Sequence, residues 1–272
     1  MVPFLDIQNI SKRFGERLLF DNITFEDDRL FHTPFYIALQ NYFLEILPKD
    51  PLILENKSSE FLSKTRNTEI YEYYLAVLLN LFDRNINSMA YDQTFVWLYD
   101  KYCAGKTLQT LPEDMMNHYK RSADRKRKLL PGEKVPELIC SDINNVKHSS
   151  KEIDNEYIIL WFLDADCDDC VEMTPKLHDF YREFAKYYDV EVFSVMVTDD
   201  LERWDRFSKN NDLSWINLSY AIDDPNYDFI DYFDIITTPV IYLIDKNHTI
   251  INRNFPLEEL FGIFDNLKNK ED

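Results

Sequence analysis

Glycine is scarce in this chain, at 4 of 272 residues, so a glycine-rich phosphate loop is excluded. No apolar run approaches the ~20 residues that a transmembrane helix needs. The start, Met1-Val2-Pro3-Phe4-Leu5-Asp6, lacks the basic opening and apolar centre of a signal peptide. Cysteine is also sparse. Four in a chain of this length do not make a disulfide scaffold, and only Cys167 and Cys170 are close in sequence. Basic residues are outnumbered, 30 against 49 acids, for a net charge of -19. That balance argues against nucleic acid and anionic membrane surfaces as partners and favours solubility. There is no internal repeat and no low-complexity stretch.

What is present is a chain that folds. Hydrophobic residues make up 45% and aromatics 15% of it, and 272 residues suffice for one large or two ordinary domains, each with a real core. Residues 1 to about 30 are mixed and read as a short helix or loop. Helical signals follow. Thr33 caps and Pro34 opens a helix whose stripe is Phe35, Leu39, Tyr42, Phe43, Ile46 and Leu47, and Pro48 stops it. Asp50-Pro51 starts a second helix, to about Arg66. Thr68 caps a third with Tyr71, Leu75, Leu78, Leu79 and Phe82 inward. A fourth covers about Asp92 to Cys103, and Pro112 opens a fifth to about Lys128. Short connections suggest antiparallel neighbours. The aromatic stripes and Cys103 read as core. The basic cluster Lys120, Arg121, Arg125, Lys126, Arg127 and Lys128 reads as a solvated helix end or a salt-bridge surface rather than an anion site. Leu129-Leu130-Pro131-Gly132 breaks the pattern, placing a boundary between an all-α domain, 1–131, and a second domain, 132–272.

The second domain alternates strand and helix. Glu137–Ser141 and Val146–His148 read as short paired strands, with Cys140 as filler. Ile158–Leu163 is a near-continuous apolar run, as a strand buried on both faces should be. Helix over Thr174–Tyr188, strand over Val190–Val197, helix over Leu201–Asn210 and strand over Ser214–Leu218 follow. A short helix over Phe229–Phe233 comes next. A hairpin of Val240–Ile244 with Thr249–Asn252 and a closing helix over Leu257–Leu267 complete an α/β domain. Its mixed sheet has helices on both faces.

The chemistry centres on Leu160–Pro175, LWFLDADCDDCVEMTP. A strand ends in a loop at the mouth of a helix that carries Cys167-Asp168-Asp169-Cys170. Unpaired N–H groups and partial positive charge at a helix N-terminus both favour a thiolate. Two residues between the cysteines let one sulfur attack and the other resolve a mixed disulfide. Cys167, nearest the loop, is the expected nucleophile and Cys170 the resolving thiol. Zinc is the competing use of such a pair. Only His178 follows nearby, and no second cysteine pair or HxxxH completes four ligands. A peroxiredoxin pattern fails at Asp164 and Leu160.

These landmarks resemble the thioredoxin fold and, within it, the exported TlpA/ResA-like thiol–disulfide oxidoreductases. Gly132-Glu133-Lys134-Val135-Pro136-Glu137-Leu138 resembles that family's opening. Tyr157–Cys170 resembles its central strand and active-site loop, with Pro175 where its first helix kinks. Thr238-Pro239-Val240-Ile241-Tyr242-Leu243-Ile244-Asp245 resembles its cis-proline segment. The likeness covers about residues 132–267. The first domain more loosely resembles a helical domain of unknown role that precedes such domains in some exported bacterial proteins. The resemblance implies a cis Pro239 facing the cysteines and Thr238 backbone groups free to pair with an extended substrate chain. It implies a redox-active Cys167–Cys170 disulfide with no other cofactor, a protein thiol or disulfide substrate and an upstream electron donor. It also implies periplasmic or exported placement after removal of a leader; cytoplasmic placement is the alternative.

Departures from the family are part of the reading. Asp164, Asp166, Asp168 and Asp169 crowd the cysteines, and Glu172 follows on the helix. A carboxylate ~7 Å away costs a thiolate about 1 kcal/mol at an effective dielectric of ~40, and the helix N-terminus returns about 0.3–1 kcal/mol. Two or more acids outweigh it, so the couple is expected to be reducing. Trp161 stands where such domains often bury an acid, and Met173 stands where the ResA-like proteins carry a glutamate. Proton transfer at Cys170 therefore lacks its usual helper. The alternative function is a redox-inactive thioredoxin-fold binding protein. Exposure and reactivity of the Cys167 sulfur discriminate the two.

Overall fold

The apolar run 157–163 does what its composition requires. In a computed structural model of the chain it forms an interior strand of a seven-stranded sheet, with every side chain buried. The structure describes residues 10–14, 17–23, 30, 33, 35–65, 68–85, 88–198, 200–219 and 232–271. The chain divides into two compact units, residues 1–127 and 128–272. This division falls ahead of the expected junction at Gly132.

In the first unit, β1 (Ile10–Phe14) and β2 (Arg17–Ile23) pair antiparallel, with Phe14 opposite Arg17. For residues 10–14 and 17–23 this corrects the expected helix or loop; of the first 30 residues the others, Leu30 apart, lie outside the described residues. The sequence Gly15-Glu16 between the two runs is a two-residue hairpin signal of the Gly-X kind, which an eye set for helical spacing passes over. Helix α1 (Phe35–Asn41) is entered through Thr33, whose Oγ1 accepts from Phe35 N at 3.3 Å. It widens into a π-turn over Tyr42–Ile46, closed by Leu47 N donating to Tyr42 O at 3.0 Å. Helix α2 (Pro51–Lys64) starts where Asp50 Oδ1 accepts from Ile53 N at 3.0 Å. Helices α3 (Thr68–Arg84), α4 (Met89–Tyr102) and α5 (Glu113–Arg127) follow, with Leu75, Leu78, Leu79, Phe82, Phe95 and Leu98 buried.

The basic cluster on α5 is largely a salt-bridge surface. Lys120 meets Asp124 at 2.5 Å, and Arg127 meets Asp124 at 2.9 Å and Asp100 at 2.7 Å. Lys126 is the exception to a solvated helix end. It is 1% exposed and holds Asp92 at 2.6 Å inside the unit. Cys103 is buried as core.

The second unit comprises β3 (Ile139–Ser141), β4 (Lys147–Ser149), β5 (Tyr157–Leu163), α6 (Asp168–Tyr188), β6 (Val190–Met196), α7 (Leu201–Asn210), β7 (Ile216–Ser219), β8 (Val240–Asp245), β9 (Ile250–Arg253) and α8 (Leu260–Glu271). The sheet order is β4-β3-β7-β6-β5-β8-β9. Strands β5, β6 and β7 run parallel, and β8 and β9 are antiparallel additions at one side, as β3 and β4 are at the other. The short helix expected over Phe229–Phe233 lies mostly outside the described residues.

One core under α6 joins Ile159, Trp161, Leu163, Cys170, Leu177 and Leu243. Such burial is worth about 1.5–3 kcal/mol for each large apolar side chain. Strand alternation therefore fixes which face each residue of β5 presents, and the strand's C-terminal end delivers the chain to the cysteines. Among the described residues no helix is long and apolar enough to cross a membrane.

Candidate active site

Two loops meet at one end of the sheet because β5 and β8 are antiparallel neighbours, with Phe162 opposite Val240. The loop leaving β5 is tied by Asp164. Its Oδ1 accepts from Asp166 N at 2.9 Å, and its carbonyl accepts from Cys167 N at 3.2 Å. Cys167 is the N-cap of α6, with extended φ -86° and ψ 113°, and its Sγ accepts from Cys170 N at 3.1 Å. A sulfur thus takes the place of the usual capping oxygen and receives one of the helix's unpaired N–H groups.

The loop entering β8 supplies the opposite wall. The Thr238–Pro239 peptide is cis, and the Cys167 thiol donates to Thr238 O at 3.2 Å. The carbonyl expected to be free for a substrate chain is therefore occupied by the thiol itself. Cys167 Sγ is thus held between the two loops, accepting from the α6 backbone on one side and donating to the cis-proline loop on the other. All four cysteines are unbridged thiols, with Cys167 half-buried and Cys170 fully buried. Burial pushes the Cys170 thiol up from its ordinary value, and the neighbouring Cys167 sulfur adds to this. The Asp164 backbone and the Thr238 side chain pull weakly the other way.

The expected crowd of acids is less uniform than its sequence. Asp166 forms a close ion pair with Arg203 of α7, whose Nε lies 3.5 Å from Asp200 Oδ2. Glu172 pairs with Lys176 at 2.7 Å, and this cation holds its carboxyl below the ordinary range. Asp164 serves the loop backbone. Asp168 and Asp169 are exposed in the first turn of α6, where they complement the helix dipole. Arg203 escaped sequence reasoning because it lies 37 residues from Asp166. Its one available signal was an arginine in the first turn of a helix that returns to the same end of the sheet.

Behind Cys170 the helper group is absent in kind. Trp161 is fully buried and its Nε1 has no hydrogen-bond partner, and Thr174 Oγ1 one turn along α6 is equally without one. Met173 packs against the core. His178 is turned to Ser214 Oγ at 3.0 Å and packs edge-on to Trp215 at 5.4 Å. Among the described residues no cluster of three or more His, Cys, Asp or Glu side chains forms a metal-binding group. Cys140 is buried on β3.

Residues 155–250 match a family model described as thioredoxin-like. No curated protein sequence matches the chain. Among solved structures, the chain is similar to a thioredoxin-like protein from Bacteroides caccae, at 16% identity and TM-score 0.69. That match covers 89% of this chain and 88% of the other. It is also similar to a domain of a possible thiol-disulfide isomerase from Cytophaga hutchinsonii, at 27% identity and TM-score 0.48, over 52% of this chain and 95% of that one. A thiol-disulfide oxidoreductase from Bacteroides fragilis is similar at 23% identity and TM-score 0.45, over 50% and 99%. The second unit is a thioredoxin-like domain, and it follows a helical region.

Proposed function

We propose that this chain is a thiol–disulfide oxidoreductase that reduces protein disulfides through Cys167 and Cys170. The observation that carries the reading is the seat of Cys167 Sγ. It caps α6, accepts from Cys170 N at 3.1 Å and lies 3.2 Å from Thr238 O in the cis-proline loop.

The chemistry conserves electrons. The Cys167 thiolate attacks one sulfur of a substrate disulfide, forms a mixed disulfide and releases the other substrate sulfur as a thiolate. Cys170 loses its proton and attacks Cys167 Sγ. The mixed disulfide breaks, the second substrate thiolate leaves, and a Cys167–Cys170 disulfide remains. A dithiol protein donor returns two electrons. Thr238 O is released from the Cys167 sulfur as the thiolate forms and becomes available to a backbone N–H of an extended substrate.

Two features support a reducing couple. Burial favours the protonated form of Cys170, and the exposed Asp168 and Asp169 oppose negative charge beside Cys167. Asp166 and Glu172 contribute less to this than their number suggests, because Arg203 and Lys176 neutralise them. The placement that goes with the activity is periplasmic or exported. A second reading, a redox-inactive binding protein, draws on one observation: neither Trp161 nor Thr174 can accept a proton from Cys170 as a carboxylate would.

Equilibration with dithiothreitol or glutathione, with Cys167→Ser as control, tests the proposal. A reversible two-electron couple at or below about -250 mV is expected, in the range of cytosolic-type reductants. Two thiols that stay inert in the folded protein would move the chain to the binding-protein reading.

A further inference from the structure

The thioredoxin-like unit has a concavity away from the cysteines. A cleft of about 690 Å³ opens beside β7, between α6, α7 and the turn after β3. That volume lies within the usual range for small-ligand sites. Glu191, in the cleft wall, is paired in register with Ile158, whereas the cysteine loop leaves the sheet at Leu163. Five residues of strand, about 16 Å, separate the two ends.

Three aromatic side chains line the cleft: Tyr181 from α6, Trp204 from α7, and Trp215 just before β7. Tyr181 and Trp215 stand edge to face with centroids 5.8 Å apart. Trp204 is 2% exposed, and its indole N–H has no acceptor. Glu191 Oε1 accepts from Tyr181 Oη at 2.8 Å and from Val192 N at 2.9 Å. No cation among the described residues pairs with Glu191, although burial pushes its carboxyl up from the ordinary value. The lysine lining the cleft is already engaged, with Lys209 holding Asp205 at 2.6 Å, and the His148 ring is turned to Asp142, with Nε2 3.2 Å from its carboxyl. Asp212 adds a further negative charge to the wall.

A partly buried carboxylate costs free energy until a cation meets it. Aromatic faces attract cations as well, and a planar guanidinium suits both partners, stacking on rings and forking to a carboxylate. We infer that this cleft is a binding site for a guanidinium-type organic cation, seated on Glu191 and walled by Tyr181, Trp204 and Trp215. The inference does not depend on redox activity at Cys167.

The test uses the full chain and follows the indole N–H resonances of its tryptophans during titration. Ethylguanidinium is the cation probe and ethylurea its neutral counterpart. A saturable shift of the Trp204 and Trp215 signals by ethylguanidinium, with a Kd of about 1 mM or tighter, is expected, and ethylurea should give none. Glu191→Gln keeps an acceptor oxygen for Tyr181 and Val192 N and removes only the charge. It should weaken binding at least ~10-fold in a protein whose spectrum is otherwise unchanged. The source of the cation is read from acetyl-Gly-Arg-Gly-amide. Binding tighter than that of ethylguanidinium assigns the site to an arginine side chain of a peptide, and equal binding assigns it to a small cation. Equal shifts by ethylurea, or undiminished binding by Glu191→Gln, would overturn the inference. The first of these outcomes needs no variant.

Discussion

Each unit takes a glutamate out of open water, Glu72 wholly and Glu191 partly, and the two are treated oppositely. Glu72, in the helical unit, is 3% exposed. It accepts from Gln109 N at 2.9 Å through one oxygen, and from Thr110 N and Thr110 Oγ1, both at 2.6 Å, through the other. Burial by itself would raise its carboxyl, but these donors more than offset that and hold it below the ordinary value. Glu191, in the thioredoxin-like unit, has donors on one oxygen only, and burial wins. The helical unit closes Glu72 with its own chain. The other unit leaves groups with unused capacity, and these sit beside its cleft and behind its cysteines. Polar groups held short of satisfaction are where a ligand or a reaction can be felt.

The largest effect expected is on thiol chemistry, and it divides the units sharply. Cys103 in the helical unit is 1% exposed, and burial pushes its thiol up to about 12. Cys140 and Cys170 are as deeply buried. A thiol reagent added to the reduced, folded chain should therefore modify one cysteine promptly, and Cys167→Ser should abolish that phase. Disulfide reduction should fall at least ~10³-fold in the same variant, as removal of a nucleophile does elsewhere. Prompt modification of Cys103 would break the contrast.

Next in size is the buried ion pair of the helical unit. Lys126 Nζ holds Asp92 Oδ1 at 2.6 Å, with Asp83 Oδ1 at 3.7 Å and both principal partners almost wholly buried. Asp92→Ala strands an ammonium in the interior and should cost about 3 kcal/mol in urea unfolding, the low end for such a loss because Asp83 remains. The double variant Asp92→Leu with Lys126→Met should recover most of it. Cys167 reactivity in the folded protein should not change, which sharpens the division of labour.

How much of this was legible depended on range along the chain. The run 157–163, the cysteine pair and Thr238-Pro239 are local patterns, and each formed the element its composition demands. The cap at Asp50 and the extent of α7 were equally local. Contacts between distant segments were not legible. Arg203 neutralises Asp166 from 37 residues away, and Lys126 turns inward only because Asp92 waits 34 residues earlier. Thr238 O is taken by Cys167 across 71 residues. Counting charges in sequence therefore overstated the acidity at the cysteines. The β1–β2 hairpin was missed for a different reason: two short runs joined by Gly-Glu carry too little periodicity to compete with a search for helices.

The two glutamates then give predictions of opposite sign. Glu72→Gln should cost about 2 kcal/mol at pH 7, because an amide NH₂ would face donors that now meet a carboxylate oxygen. The wild-type carboxyl is depressed below the ordinary value of 4.5, so its stabilisation is present above that value and is lost as pH falls through the lower, folded one. The gap between wild type and Glu72→Gln in urea unfolding should accordingly narrow in acid.

The smallest effect is the most discriminating, because its sign alone carries the comparison. Glu191 is raised from 4.5 by burial, so the folded chain binds its proton more tightly than the unfolded chain does. Stability from that group is fully present below the unfolded value and is lost as pH rises through the folded one. At pH 7 the charged, incompletely partnered carboxylate is therefore a cost. Glu191→Gln removes the charge yet keeps an oxygen for Tyr181 Oη and Val192 N, so without ligand it should melt a few degrees above wild type at pH 7. The advantage should vanish below about pH 4, where the wild-type carboxyl is neutral as well. A variant that melts lower than wild type at pH 7 would mean that the Glu191 charge is already matched inside the fold, and the contrast with Glu72 would disappear.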